Sequence, residues 1–439
     1  MTLDQPDNPA QIGSALPASP PRLPARIWIA LLAIGFTGQL AWGVENQFFN
    51  TFLYNQITPD PRPISWMVAI TAVVSTLTAL TMGALSDRTR TRWGRRRPYI
   101  FVGYLLWGVF TAVFPASALA SSIGLGVALA ILLDSIMTFF GATANDAAFN
   151  AYIADVTTPQ NRGRVSGALE IVRWVAFLII YGGAAVFIEH IGYAGFFMLI
   201  GGLVLVSGLA FGPLLAEPPV TERPAVSYRQ QLLSTLQPGF LKAHRDIFLV
   251  LLALALFNLA QQVFFPYLLI YLQHFIRLPA LEYSILVAVA ILAGGILMAY
   301  PLGWLVDRWG RKPVALLAVF CEALGLLLFS FSRSFLALTL SGILWLTPIA
   351  AFTITLMAWT KDLYPEDRRG QFAGYYILFG VLFAMIPGPL IGGWLGSQFG
   401  IPAVLDGKPG FIPTPLIFQV SALLTLLAAL PLGFTRYKK

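Results

Sequence analysis

The amino-acid sequence predicts an all-α polytopic membrane protein with twelve transmembrane helices, arranged as two halves of six. Of its 439 residues, 57% are hydrophobic and only 11% are charged, and the mean hydropathy is +0.74. A soluble domain carries about 25% charged residues, so this composition excludes a soluble fold. Two further observations support the prediction: the apolar residues fall into twelve long runs, and one polar motif occurs twice.

The twelve runs are bounded by charged residues, proline or glycine, and a membrane-spanning helix needs about 20 apolar residues. We predict helices at 27–55, 64–86, 98–117, 122–153, 163–188, 194–215, 246–274, 281–306, 313–331, 334–360, 371–398 and 413–435. The polar stretch 216–245 is then a cytoplasmic linker between an N-terminal half, 27–215, and a C-terminal half, 246–436. Residues 1–26 are polar and proline-rich, and we expect a disordered cytoplasmic tail.

The distribution of lysine and arginine predicts the orientation in the membrane. Of the 28 basic residues, 23 fall on one side when that side holds both termini, the loops 87–97, 154–162, 216–245, 307–312 and 361–370, and Arg164 at the start of the fifth run. Because basic loops remain in the cytoplasm, both termini are predicted to be cytoplasmic. The loops are short and no cleavable signal precedes the first run, so we expect a bacterial inner membrane. The net charge of +8 reflects this topology and does not indicate a nucleic-acid partner.

The repeated motif is a polar hinge between two apolar runs. The longer copy reads Gly83-Ala84-Leu85-Ser86-Asp87-Arg88-Thr89-Arg90-Thr91-Arg92-Trp93-Gly94-Arg95-Arg96-Arg97, and the shorter copy reads Gly303-Trp304-Leu305-Val306-Asp307-Arg308-Trp309-Gly310-Arg311-Lys312. Each copy joins one apolar run to the next, which places both in loops between helices and makes the chain a duplication. The predicted gating residues are Gly83, Asp87, Arg88, Gly94, Arg95, Arg96, Asp307, Arg308, Gly310 and Arg311.

The doubled G-x-L-x-D-R-x-G-R-[RK] pattern resembles the loop between helices two and three of the major facilitator superfamily, and its repeat between helices eight and nine. The longer form, from Ser86 to Ile100, resembles the sucrose:proton symporters and their relatives among the glycoside–pentoside–hexuronide:cation symporters. This resemblance implies the major facilitator fold, alternating access, a sugar-like substrate and a monomer. One departure concerns Asn150, which stands where the plant sucrose symporters carry an arginine, and it puts sucrose itself in doubt.

Asp87 lies at the carboxyl end of its predicted helix, where the helix dipole disfavours a carboxylate. It is better placed against the amino end of another helix, or against the arginines beside it. In the duplicated fold the neighbouring helix opens near Arg369-Gly370, and Asp307 would likewise face the helix that opens near Arg162-Gly163. Such contacts would join the halves as a latch that breaks on opening. The alternative is that the arginines only orient the protein.

Glu45 lies well inside the first predicted helix, where an ionisable side chain costs about 3 kcal/mol and is a functional candidate by default. The string Trp42-Gly43-Val44-Glu45 resembles the first helix of the animal relatives of the sucrose symporters, and that resemblance implies a proton site at Glu45. The alternative is a glutamate that only fixes packing. Around Glu45, polar and aromatic residues three or four positions apart share roughly one face of the helix: Gln39, Trp42, Asn46 and Asn50. Amide side chains can bind the hydroxyls of a sugar, and an indole can pack on the apolar face of its ring.

Further intramembrane candidates lie on the fourth and fifth helices. Glu170 and Arg173 stand three residues apart, so they can form an ion pair within one helix. The alternative is that Arg173 pairs with Glu45 or Asp134 when the proton leaves. Asp134 and Asp146 lie on the fourth helix. Because the second helix has no acid before its loop, a melibiose-type sodium cage is incomplete and protons are favoured. The proton-coupling set is therefore Glu45, Asp134, Arg173 and Glu170, and the substrate set gains Asn258, Gln261 and Gln262 on the seventh helix.

The sequence argues against an enzyme, a metal site or a cofactor. The three histidines lie at helix ends, so no Ser–His pair is available within a helix, and the single cysteine, Cys321, excludes an intramolecular disulfide and a zinc motif. The predicted function is secondary active, proton-coupled symport of a sugar or glycoside. The alternatives are an exporter of a drug or small metabolite with the same fold, and a receptor without transport activity. The polar residues around Glu45 favour a polar substrate over a lipophilic drug.

Overall fold

The computed structural model describes residues 23–158, 160–217, 244–364, 375–376 and 378–436. In these residues, eleven helical stretches are long and apolar enough to cross a membrane. One of them, Arg162–Leu214, is two helices, because Gly192 has a φ of 71° and breaks the stretch. The structure therefore confirms the twelve predicted helices.

The helices have these bounds: α1 Ala25–Ile57, α2 Pro61–Arg88, α3 Arg97–Leu119, α4 Ile123–Val156, α5 162–191, α6 193–214, α7 Arg245–Ile276, α8 280–309, α9 Arg311–Phe331, α10 Phe335–Leu363, α11 Leu378–Gln398 and α12 Leu416–Phe434. We refer to α1–α6 as the N-half and to α7–α12 as the C-half. The predicted start of the eleventh helix at 371, most of the tail and most of the linker lie outside the described residues.

Small residues let the helices of each half approach closely, as is common in membrane bundles. In the N-half, a Cβ on Gly108 of α3 would lie 2.5 Å from the carbonyl oxygen of Gly201 on α6. In the C-half, a Cβ on Gly325 of α9 would lie 2.6 Å from the backbone nitrogen of Trp345 on α10. Backbone-to-backbone packing of this kind joins α3 to α6 and α9 to α10.

Five of the helices contain π-helical turns, a feature that often marks functional sites and that the sequence pattern does not predict. They lie at Glu45–Phe49 and Leu53–Ile57 in α1, Ala142–Phe149 in α4, Tyr271–Ile276 in α7, Ile291–Leu297 in α8 and Leu378–Leu382 in α11. The first turn in α1 begins at Glu45, the predicted proton site.

The molecule has two distinct ends. The basic end carries the two motif loops, around Gly94 and Gly310. The hairpin end carries an antiparallel β-hairpin between α11 and α12, formed by β1 Ile401–Leu405 and β2 Lys408–Ile412. The sequence pattern of long apolar runs did not predict this hairpin.

The two halves touch closely at the hairpin end. There, a Cβ on Gly393 of α11 would lie 2.8 Å from Ser65 of α2, and one on Gly396 would lie 3.0 Å from Pro61. At the basic end, a Cβ would meet no described atom within 4 Å at any of four glycines: Gly83, Gly163, Gly167 and Gly303. Within the described part of the chain, the halves are therefore closed at the hairpin end and separated at the basic end.

Candidate functional site

Glu45 and Asp134 form a buried pair of carboxyl groups between α1 and α4. The Thr138 hydroxyl donates to Glu45 Oε1 at 2.9 Å. Glu45 Oε2 and Asp134 Oδ1 are both buried and have no hydrogen-bond partner among the described residues. Asp134 precedes Thr138 by one helical turn, and the two carboxyl groups interact electrostatically. Neighbouring buried carboxyl groups without a basic partner have the chemistry of a proton site.

Asp146 lies on the π-helical turn of α4 and is fixed by a polar cluster. Its carboxylate accepts from Asn145 Nδ2 at 3.0 Å and from the Trp42 indole. The Tyr104 hydroxyl donates to Asn145 Oδ1 at 3.2 Å. Gly38 makes room for this cluster, because a Cβ there would lie 2.6 Å from the Tyr104 oxygen. The sequence identified Asp146 as an intramembrane acid but did not connect it with Trp42.

The predicted polar residues of α1 use much of their hydrogen-bonding capacity within the helix. Asn46 Nδ2 donates to the Trp42 carbonyl at 2.7 Å, and Asn50 Nδ2 donates to the Asn46 carbonyl at 2.8 Å. Asn50 is only 1% exposed, and its Oδ1 has no partner among the described residues. Gln39 is half-buried one turn before Trp42. Acceptor atoms, more than donors, therefore remain available along this face.

Glu170 and Arg173 form an ion pair within α5, with side chains that are 50% and 41% exposed. Glu170 also accepts from the Trp174 indole at 3.0 Å. This arrangement is the first of the two alternatives that the spacing left open. The described structure contains no ion pair of Arg173 with Glu45 or Asp134.

The three predicted substrate residues of the C-half lie on α7 and have different surroundings. Asn258 Nδ2 donates to the carbonyl oxygen of Gly380 at 2.9 Å and so ties α7 to α11. Gln262 packs against Gly388, where a Cβ would lie 2.5 Å away. Gln261 Nε2 is buried without a partner among the described residues, so it retains a free donor.

The longer motif loop forms an ion-pair network at the basic end. Asp87 pairs with Arg96, which also donates to Ser86 Oγ at 2.5 Å. Arg95 pairs with Asp155, at the end of α4, at 2.7 Å. Asp87 therefore meets an arginine of its own loop, as one of the two alternatives for this carboxylate predicted. Its predicted contact near 369–370 lies outside the described residues.

The shorter copy repeats part of this network. Arg311 pairs with Asp362 at 2.6 Å, in the position that Arg95 and Asp155 hold in the N-half. Asp307 is exposed and has no ion pair among the described residues. Among the described residues no contact joins Asp307 to the start of α5, where Arg162 donates to Thr157 of its own half at 3.2 Å. The contact stays a prediction.

Glu217 is a functional candidate that the sequence reasoning missed. Its carboxylate accepts from the backbone N–H groups of Arg95, Arg96 and Arg97 at 2.7, 2.7 and 2.6 Å. These donors lie at the amino end of α3, where the helix dipole favours a negative charge. The loop reaches this geometry through Gly94, whose φ is 104°. No sequence pattern pairs a glutamate after α6 with a loop that precedes α3.

The described residues contain no group of three or more histidine, cysteine, aspartate or glutamate side chains that could hold a metal ion. The site is thus built from carboxyl groups, amides, a hydroxyl and indoles. Their arrangement suits proton binding and recognition of a polar solute.

Comparison with known proteins places this geometry in a family context. The family model described as Major Facilitator Superfamily matches residues 27–299 and again residues 250–439. Among solved structures, nucleoside transporter NupG aligns with a TM-score of 0.71 and 15% identity, covering 94% of this chain and all of that one. An auto-inhibited POT family peptide transporter aligns with a TM-score of 0.71 and 13% identity, covering 95% and 98%. At these identities the alignments show the fold alone.

Sequence relatives match shorter segments. Solute carrier family 45 member 4 of Mus musculus is 27% identical over 152 residues, covering 32% of this chain and 19% of that protein. A D-xylose transporter of Levilactobacillus brevis is 30% identical over 132 residues, covering 28% and 29%. A putative proline/betaine transporter of Staphylococcus aureus (strain COL) is 24% identical over 296 residues, covering 64% and 62%. The chain therefore spans less than two thirds of the length of each of these relatives.

Proposed function

The chain belongs to the major facilitator superfamily and is a membrane transporter, and from this premise we propose that it is a proton-coupled symporter of a sugar or glycoside. The observation that carries the proposal is the buried pair of Glu45 and Asp134, with two carboxyl oxygens unpartnered among the described residues. The pair joins α1 to α4 within the N-half.

In this proposal Glu45 and Asp134 bind the transported proton. Two adjacent buried carboxyl groups favour a shared proton over two negative charges, since neither has a basic partner among the described residues. The Thr138 hydroxyl holds the Glu45 carboxyl against α4. Release of the proton leaves a charge that the buried pair tolerates poorly, so the loaded and unloaded pairs favour different conformations. Arg173 remains a proposed participant, which would leave Glu170 when the pair is deprotonated.

The proposed substrate is a neutral, polyhydroxylated solute. Amide oxygens and an indole are suited to hydroxyls and to the apolar face of a sugar ring. The residues proposed to bind it are Gln39, Trp42, Asn46 and Asn50 on α1 and Asn258, Gln261 and Gln262 on α7. The name of the D-xylose transporter relative supports a sugar. The names of the proline/betaine and nucleoside transporters make those solutes the comparison compounds of the test.

The test is uptake by proteoliposomes that contain the purified protein. Labelled xylose, glucose, sucrose, proline, betaine and uridine are offered under an inward proton gradient, under an inward sodium gradient, and with a protonophore. We expect one sugar to accumulate with the proton gradient and to stop accumulating when the protonophore is added. Accumulation driven by sodium, or efflux of a lipophilic compound in place of sugar uptake, would contradict the proposal.

We propose further that the basic end faces the cytoplasm of a bacterial cell, with both termini inside, and that the transporter is a monomer in the inner membrane. The support is the excess of lysine and arginine at that end. The described conformation would then be open to the cytoplasm. Labelling of a cysteine at Gly83 by an impermeant maleimide in inverted vesicles, and not in intact cells, tests this orientation.

A further inference from the structure

The two halves differ at one connection. In the N-half, α5 turns into α6 at a single residue, Gly192, whose φ is 71°. In the C-half, the corresponding connection between α11 and α12 contains the β-hairpin 401–412. Because the chain is a duplication, this difference identifies the hairpin as an element present in one half only. The folding of the C-half bundle therefore does not by itself account for it.

The hairpin binds the N-half through its backbone. The backbone N–H of Phe411 donates to the Pro59 carbonyl at 2.8 Å, and the Phe411 carbonyl accepts from the Tyr54 hydroxyl at 2.8 Å. Lys408 Nζ donates to the Gln56 carbonyl at 2.7 Å. All three partners belong to the end of α1 and the short connection to α2. The hairpin of one half thus holds the first connection of the other half.

Close approach at Gly410 makes the contact sensitive to size. A Cβ on Gly410 would lie 2.5 Å from the Pro59 carbonyl carbon and 2.7 Å from its Cγ. The hairpin turn is also specified by the sequence, because Asp406 and Gly407 have φ values of 49° and 75°, as a type I′ turn requires. The turn fixes the register, and the register presents Gly410 and Phe411 to Pro59.

Side-chain contacts between the halves lie beside the hairpin. Asn55 Nδ2 donates to Gln273 Oε1 at 3.2 Å, and Asn55 Oδ1 lies 2.8 Å from His274 Nε2. Gln47 Nε2 donates to the Phe265 carbonyl at 2.7 Å. These bonds would remain if the hairpin alone were released. The hairpin is therefore one of several contacts that hold this end closed, and it can be weakened separately from the others.

We propose that the hairpin is a clasp that holds the hairpin end shut. In an alternating-access cycle this end must open, and the bonds from Phe411 to Pro59 and Tyr54 must then break, because their partners belong to different halves. The clasp therefore lengthens the time that the transporter spends open at the basic end. A variant with a weaker clasp opens at the hairpin end more often, whatever its substrate.

A buried cysteine measures this opening without a substrate. Ser284 on α8 is 0% exposed, and its carbonyl oxygen lies 3.9 Å from the Cβ position of Gly182 on α5, so it lies between the halves. In a Cys321→Ser background, Ser284→Cys reacts with a maleimide only when the halves separate there. Ser330→Cys is the control probe, because Ser330 is also 0% exposed but lies on α9. Its rate reports general unfolding.

The clasp is weakened with Gly410→Ala. We expect the labelling rate at Ser284→Cys to rise about five- to tenfold, the equivalent of one lost hydrogen bond, with no change at Ser330→Cys. The matched control is Gly124→Ala, since a Cβ on Gly124 would meet nothing within 4 Å. If both cysteine probes react rapidly in the Gly410→Ala variant, that variant has unfolded. The proposal is then tested with Tyr54→Phe, which removes one hydroxyl from the contact between the hairpin and α1. Unchanged labelling in the folded variant would overturn the proposal.

The clasp is locked with Pro59→Cys and Phe411→Cys. The Phe411 N–H lies within 2.8 Å of the Pro59 carbonyl oxygen, so the two backbones are close enough to test for a disulfide, whose Cα atoms lie about 4.4–6.8 Å apart. We expect oxidation to protect Ser284→Cys from the maleimide and reduction to restore labelling. If the disulfide does not form, a short bismaleimide across Gln56→Cys and Lys408→Cys replaces it. Labelling that continues at the original rate in the cross-linked protein would show that the hairpin moves with the N-half and is not a clasp.

Discussion

At the scale of single residues, Glu45 combines a hydrogen bond from another helix with a second oxygen that has no partner among the described residues. A Glu45→Gln change mimics the protonated acid at almost constant volume. We expect the variant to keep counterflow exchange of the substrate but to lose accumulation above the external concentration, because no proton can be released. Uptake and counterflow are compared in the same proteoliposomes. A variant that still concentrates substrate against a gradient would show that Glu45 has only a packing role.

The Thr138 hydroxyl offers a second test at this scale. Thr138→Val removes the donor to Glu45 and leaves a second buried carboxyl oxygen unpaired, at a cost of about 1–3 kcal/mol. We expect proton-driven uptake to slow by roughly tenfold, with a smaller effect on counterflow. Thr111→Val is the matched control, because Thr111 donates only to the Trp107 carbonyl of its own helix. Equal effects of the two changes would show that Thr138 has no specific role in coupling uptake to the proton.

At the scale of elements, the cap on α3 leads to a prediction about stability. Glu217→Gln keeps the size of the side chain but removes the charge that faces three N–H groups at the helix start. We expect a loss of about 1 kcal/mol in the free energy of unfolding, in line with other helix caps. Thermal unfolding in detergent measures it, with Glu282→Gln as a control at the first turn of α8. An unchanged melting temperature would show that the backbone donors are satisfied equally by the amide.

The helices themselves were predictable from the sequence, and their irregularities were not. Long apolar runs give the twelve spans because any spanning segment must satisfy its backbone hydrogen bonds internally. The π-helical turn at Glu45–Phe49 depends on packing against other helices, so no local pattern shows it. The hairpin had a local signal in Asp406-Gly407, a dipeptide typical of two-residue hairpin turns, but an assignment based on long apolar runs does not detect it. The Glu217 cap joins residues more than 100 positions apart in sequence and needs the fold.

In the candidate site, too, some features could be predicted from the sequence and others only from the fold. Glu45 and Asp134 could be identified because a carboxyl group is expensive in a bilayer wherever it lies. Their proximity and the hydrogen bond from Thr138 to Glu45 could not be identified, because spacing within one helix carries no information about the facing helix. The same limit explains Asp146, whose partner Trp42 lies on α1. A single sequence thus identifies the costly groups, and the fold determines which of them meet.

At the scale of the whole molecule, we expect the two motif copies to differ in their importance for transport. Asp87 is paired with Arg96 and belongs to a network that includes Asp155, whereas Asp307 is exposed and has no ion pair among the described residues. We expect Asp87→Asn to abolish or strongly slow transport in a protein that still folds and inserts, and Asp307→Asn to have a milder effect. Initial uptake rates, normalised to the amount of reconstituted protein, measure both. Near-normal uptake by Asp87→Asn, with unchanged labelling of Gly83→Cys, would contradict the latch.

Each half also fastens its own last helix to its own motif loop. Arg97 donates to the Pro213 carbonyl at 2.5 Å, and Lys312 donates to the carbonyls of Gly433 and Thr435 at 3.0 and 2.9 Å. Neither fastening uses residues 218–243. Each half therefore joins its last helix to its motif loop through its own described residues. We expect the N-half and C-half, produced as separate chains cut within 218–243, to associate in the membrane and to transport, and co-purification through a tag on one fragment measures this.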